Sequence, residues 1–163
     1  MPADSGAGAD RGTAYHRALE LLPFDQIRSR SDVEAWLERF VEEKQDTAES
    51  LKMVDSTVIW NFLCSETGHR MAAAQAEGRL HKEQQFVMGI PARAVGPVDS
   101  DELVVIQGII DAYFEEDGEL ILVDYKTDRT WSSQVLLDHY KRQLDYYERA
   151  LNQLTGKKVR EKW

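Results

Sequence analysis

The chain changes its hydrophobic period twice. Apolar positions recur at helical spacing up to about residue 78, run or alternate as in strands from 80 to 126, and return to helical spacing over 133–154. Thr13 heads a short helix with Tyr15, Ala18, Leu19 and Leu22 on its apolar face, and Pro23 stops it. A second helix starts at Ser31, where Ser31-Asp32-Val33-Glu34 has the form of a capping box; Val33, Trp36, Leu37, Phe40 and Val41 share its inner face. A third, over 54–65, groups Val58, Ile59, Phe62 and Leu63, and an alanine-rich fourth over 67–76 ends near Gly78. Residues 80–90 form a strand closed by Pro91, and 103–114 and 119–126 are two more around Asp117-Gly118, a strong hairpin signal. The last helix carries Leu136, Tyr140, Leu144, Tyr147, Leu151 and Leu154 as one stripe. Helices before and after a central sheet predict an α/β fold with a mixed sheet. Residues 1–11, MPADSGAGADR, are small, polar and rich in Gly and Ala, and are expected to form a disordered leader to a single domain over 12–163.

The hairpin carries the candidate chemistry. With Asp117-Gly118 as a two-residue turn, Glu116 faces Glu119, and the same register sets Asp111 opposite Asp124. Opposed residues have Cβ atoms about 5 Å apart on one face of a sheet. Lys126, two residues beyond Asp124, points to that face as well. A slip of one residue would separate the carboxylates. Two carboxylates this close among Ile109, Ile110, Ala112, Phe114, Ile121, Leu122 and Val123 repel each other and lose hydration, so one is protonated or a cation holds both. Mg²⁺ takes hard oxygen ligands of this kind, with Lys126 free to orient a water, a set suited to phosphodiester hydrolysis. Salt bridges and turn caps are the plainer roles for the same residues, and the pairing alone does not separate the two.

Composition narrows the picture. The 163 residues carry 29 acidic and 20 basic side chains, a net charge of −9, so whole-molecule attraction to nucleic acid or acidic lipid is disfavoured. A domain with this charge that handles DNA needs a local basic strip, a metal, or a partner that delivers the strand. The single cysteine, Cys64, excludes an internal disulfide and any four-cysteine zinc or iron–sulfur site, and its neighbours Ile59, Phe62 and Leu63 suggest a buried, reduced thiol in a soluble cytoplasmic protein. The longest strongly apolar run, Leu103-Val104-Val105-Ile106, is far short of a membrane span.

Gly108-Ile109-Ile110-Asp111, then Asp124-Tyr125-Lys126-Thr127-Asp128, then Gln143 and Tyr147 as QxxxY, resemble the RecB-type nuclease signature of the PD-(D/E)XK superfamily. Gly12-Thr13-Ala14-Tyr15-His16 resembles that family's helical GxxxH motif, and His81-Lys82-Glu83-Gln84-Gln85-Phe86 its acidic strand motif. GIIDAYFEEDGELILVDYKTDR is most similar to the C-terminal nuclease domains of AddA-type bacterial helicase–nucleases. The resemblance spans about residues 11–163 and implies a restriction-endonuclease-like core with an N-terminal helical segment.

It also implies a metal site of His16, Asp111, Asp124 and the backbone carbonyl of Tyr125, with the Tyr125 side chain packed away from it. Mg²⁺ is the expected ion, with Mn²⁺ as the alternative that an imidazole suits better. Asp111, Asp124, Lys126 and Glu83 are the implied catalytic residues; Gln143, Tyr147, Thr127 and Arg129 are the implied substrate contacts. Read without the resemblance, His16 is a core or capping histidine, Glu83 a solvated strand residue, and Tyr147 core with Gln143 as its polar border. His69, His81 and His139 have no partner motif, and the basic tail Lys157, Lys158, Arg160 and Lys162 is either a contact for a phosphate backbone or, as charged termini mostly are, only solvated. The implied activity is a DNA exonuclease acting on a single strand delivered by a helicase, in recombinational repair, beside an AddB-like partner subunit. No G-x-x-x-x-G-K-[ST] is present, so ATP belongs to the parent helicase, and the chain is expected to be a piece of a larger protein lacking a last apolar strand. A nuclease-like docking module and a free-standing, ring-forming exonuclease are the alternatives.

Overall fold

The structure is a computed structural model that describes residues 5–43, 52–125 and 134–163, with side chains over 13–40, 52–125 and 138–163. It divides into two compact units, with boundaries at Leu80/His81 and Asp124/Tyr125.

The first unit is helical and includes Tyr125. Helix α1 spans Ser5–Leu21 and α2 spans Arg30–Glu43. The start of α1 corrects the sequence reading, because helix covers Ser5 to Arg11, assigned there to a disordered leader. Within that segment Ala7 and Ala9 favour helix, while Gly6 and Gly8 oppose it. The capping box of α2 also lies two residues earlier than expected. Asp32 N donates to Ser29 Oγ (3.2 Å) and Ser29 N to Asp32 Oδ2 (3.0 Å), so Ser29 rather than Ser31 is the cap. The hydrogen bond from the Arg28 backbone amide leads the causes that hold the Asp32 carboxyl below its ordinary value.

Helix α3 spans Ser56–Leu63 and α4 spans Glu66–Ala76. Asp55 caps the first and Ser65 the second. Ile59 and Leu63 are buried, whereas Val58 is exposed, off the face predicted for it. The two helices meet at Gly68, where a Cβ would lie 2.2 Å from the Phe62 carbonyl oxygen and 2.7 Å from Leu63 Cα. Gly78 ends α4 at φ +72, with Gly78 N bonded to Gln75 O and Arg79 N to Ala74 O, as in a Schellman motif. Cys64 is exposed, not buried, because it caps the C-terminus of α3 instead of continuing its apolar stripe.

The second unit holds a four-stranded sheet in the order β1-β2-β3-β4: Leu80–Pro91, Leu103–Glu116, Glu119–Val123 and Val159–Lys162. β2 and β3 pair antiparallel from Ala112↔Val123 to Glu116↔Glu119, the register that Asp117-Gly118 predicts. Both turn residues have positive φ, 53° and 79°, as a type I′ turn requires. Helix α5, Gln134–Thr155, returns the chain to β4, which pairs parallel with β3. The sheet is therefore mixed. Phe86, Met88, Ile90, Ile110, Tyr113, Leu120, Leu122 and Val159 meet Tyr147, Ala150 and Leu151 of α5 in one core. Leu154 lies outside it and is exposed.

β4 adds a fourth strand after α5, and three of the four residues of the basic tail, expected to be mostly solvated, hold ion pairs. Lys157 pairs with Glu115 (2.6 Å), Arg160 with Glu116 (3.0 Å), and Lys162 with Asp145 (3.1 Å) and Glu148. Among the described residues, no helix is long and apolar enough to cross a membrane.

Candidate active site

Five of the sequence-selected residues lie in the second unit: Glu83 on β1, Asp111 on β2, Asp124 just past β3, and Gln143 and Tyr147 on α5. Asp111 is 7% exposed, the only buried residue with a charged side chain among those described. Its carboxylate and that of Glu83 each offer an oxygen within 4.8 Å of the other. Asp124 directly follows Val123, and Asp111 directly precedes Ala112, the residues of the last β2–β3 pair, Ala112↔Val123. Its Oδ2 is buried, and its amide donates to the Trp163 carbonyl (2.9 Å) while Trp163 N donates to Leu122 O (2.8 Å). The C-terminal end of β4 thus fixes the backbone that carries Asp124.

Both β1 and β2 depart from simple alternation where their acidic residues sit. Phe86, Met88 and Ile90 point into the core, while His81, five residues before Phe86, is exposed and lays its ring on Tyr113 at 4.6 Å. Glu83 lies in that interval at φ +51, a conformation that costs a residue with a Cβ about 1–2 kcal/mol. On β2, Ile110 and Tyr113 are three apart and share the core, and Asp111 lies between them. Local breaks in pairing re-aim side chains and concentrate beside active sites. No sequence signal marks either break, since GIIDAYF is apolar on both faces.

Tyr147 closes the α5 side of this group. Gln143 Nε2 donates to its hydroxyl at 2.7 Å, as the four-residue spacing allows. Burial raises the phenol pKa; the Gln143 hydrogen bond opposes this, and the negative charges of Asp111 and Glu83 add to it. The ring meets Phe86 edge-on at 5.5 Å. Gly108 makes room for both: a Cβ there would stand 3.0 Å from the Phe86 ring and 3.6 Å from that of Tyr147. The glycine of GIID is therefore a seat for two aromatic rings, a role that its motif position did not reveal.

His16 and Tyr125 belong to the first unit. Their rings meet edge-on at 5.8 Å, and Tyr125 packs perpendicular to Phe62 at 5.6 Å. Lys126, Thr127 and Arg129 lie outside the described residues.

A mixed sheet with acidic residues on successive strands and a helix bearing Gln and Tyr defines a class: the chain belongs to the PD-(D/E)XK nuclease superfamily, which it matches over residues 2–162. Among individual proteins, it is similar to the AddA-type component of the ATP-dependent helicase/nuclease in several bacteria. It is 32% identical over 191 residues to that of Lachnoclostridium phytofermentans, a match covering 95% of this chain and 14% of that protein. It is 34% identical over 160 residues to that of Clostridium botulinum strain 657, covering 95% and 12%, and 33% identical over 163 residues to that of Clostridium novyi, covering 96% and 13%. The chain thus spans 12–14% of the length of these curated relatives.

Proposed function

We propose that this domain hydrolyses DNA phosphodiester bonds with a divalent cation held by Asp111, Asp124 and Glu83. The observation that carries the reading is the approach of the Glu83 and Asp111 carboxylates within 4.8 Å, with Asp111 buried. Charges of one sign at that separation are costly unless a cation or a proton lies between them. The donors are hard oxygens, so the set suits Mg²⁺, with Mn²⁺ as the alternative. By family resemblance, His16 and the Tyr125 carbonyl complete the ligand set.

A bound cation would polarise the phosphate and make a water nucleophile available near neutral pH. The chain's own residues do the rest. Lys126 orients the attacking water, which gives a proton to solvent as its oxygen bonds to phosphorus, while one ester P–O bond breaks and the leaving oxygen takes a proton from solvent. Tyr147, held protonated by burial and by its acidic neighbours, accepts from Gln143 and keeps its own O–H to donate. Thr127 and Arg129 contact the flanking phosphates. In the parent protein the domain acts as an exonuclease on a single strand fed by the ATP-driven helicase, beside an AddB-like partner, during processing of double-strand ends for recombinational repair. Delivery by a motor reconciles DNA chemistry with a net charge of −9.

Calorimetric titration with Mg²⁺ and with Mn²⁺ tests the site. Wild type binds, and Asp111→Asn and Glu83→Gln each weaken binding at least about tenfold, the loss expected when a charged oxygen donor becomes neutral. A wild-type protein that takes up neither ion refutes the reading.

A further inference from the structure

The second unit holds a groove of about 400 Å³ between the Ala92–Ala94 turn with the Val95–Pro97 segment after it and one face of α5. Its chemistry is basic in an acidic protein. Arg93 stands on one wall; Arg142, Tyr146 and Arg149 stand on the other, at i, i+4 and i+7 of the helix. The one carboxylate in the lining, Asp145, is engaged by Lys162 at 3.1 Å. Arg93 pairs with Asp101 at 2.9 Å, but both side chains are well exposed, so that pair is weak. Among the described residues, Arg142 and Arg149 make no salt bridge, in contrast to Lys157, Arg160 and Lys162 of the same unit.

The groove residues are one position away from the site residues along the same helix. Arg142 precedes Gln143 and Tyr146 precedes Tyr147, about 100° around the axis. Arg142 to Arg149 covers about 10 Å of α5, more than the spacing of neighbouring phosphates on a strand. We infer that this groove binds the sugar–phosphate backbone of single-stranded nucleic acid, with Arg93, Arg142 and Arg149 on successive phosphates and Tyr146 as a stacking face for a base. Arginine forks suit phosphate oxygens, and an aromatic face between cations is how non-specific single-strand sites hold bases. The inference rests on the nuclease reading for its substrate and deepens it by naming the path of the strand.

The test is fluorescence anisotropy of the full chain with a labelled oligothymidylate in EDTA, followed over a range of salt. Arg142→Ala/Arg149→Ala is expected to weaken binding at least about tenfold and to flatten the log–log salt slope by about 1.4, for two lost phosphate contacts. Arg142→Lys/Arg149→Lys, which keeps the charges and the helix propensity, retains most of that slope. Wild-type binding with an unchanged affinity and slope in the alanine pair overturns the inference, as does a wild type that does not bind. Because EDTA removes metal chemistry, the two readings fail separately: arginine-dependent binding without metal-dependent cleavage refutes the nuclease, and cleavage without arginine-dependent binding refutes the groove.

Discussion

Strand β3 has a neighbour on each side, and the two pairings are made differently. Toward β2 it is joined by two residues, Asp117 and Gly118, whose positive φ values set an uninterrupted antiparallel register. Toward β4 it is joined through the 22 residues of α5, and that parallel register carries an irregularity between Leu120 and Ile121. The first pairing is local and its geometry is written in the turn. The second depends on the packing of α5 over the sheet, with Leu151 and Val159 in the core and three cations on β4 or beside it fastened to Glu115, Glu116, Asp145 and Glu148. Asp124 needs both, because the hairpin sets its register and the Trp163 carbonyl accepts from its amide.

The comparison is broken hardest from the core. Leu151→Ala removes a fully buried side chain between α5 and the sheet, and is expected to cost about 2–5 kcal/mol of stability in denaturant unfolding. The loss should fall on β4 first, with early amide exchange at 159–163, while amides of the β2–β3 ladder stay protected until global unfolding. Gly118→Val attacks the local side. It places a β-branched residue at φ +79 and is expected to cost about 1–2 kcal/mol by the same unfolding measurement. If Gly118→Val proved as costly as Leu151→Ala, the division into a turn-set and a packing-set pairing would be wrong.

The smallest effect belongs to the ion pairs of β4. Burial lowers the Lys162 pKa, but hydrogen bonds and charge from Glu148 and Asp145 outweigh it, so the net shift is upward from 10.5. A raised pKa means stability that is full below 10.5 and lost as pH climbs through the folded value. Lys162→Met is expected to cost less than about 1 kcal/mol at neutral pH, and its thermal midpoint should converge on wild type only above pH 10.5.

The same contrast governs what could be read from residue types alone. The Asp117-Gly118 hairpin and its register out to Ala112↔Val123 follow from turn chemistry and period two, both local. The helices were legible from their stripes, with ends misplaced by two residues at Ser29 and by more at Ser5, because caps and alanine propensity compete over a few tenths of a kcal/mol. β4 was not legible. VREK shows no strand pattern of its own, and its charges find partners only once α5 has brought it beside β3. Within the site, motif spacing selected Glu83, Asp111, Gln143 and Tyr147, but it carries no sign of the left-handed backbone at Glu83, and the ring seat at Gly108 arises from contacts with Phe86 and Tyr147, distant in sequence.

Cleavage of end-labelled single-stranded DNA by the wild-type chain and by Asp111→Asn, with Mg²⁺, Mn²⁺ or EDTA, tests the central claim most directly. The account predicts strand loss that requires the metal and falls at least about a thousandfold in the variant, about 4 kcal/mol of transition-state stabilisation. Equal cleavage by Asp111→Asn, or cleavage that persists in EDTA, would contradict it.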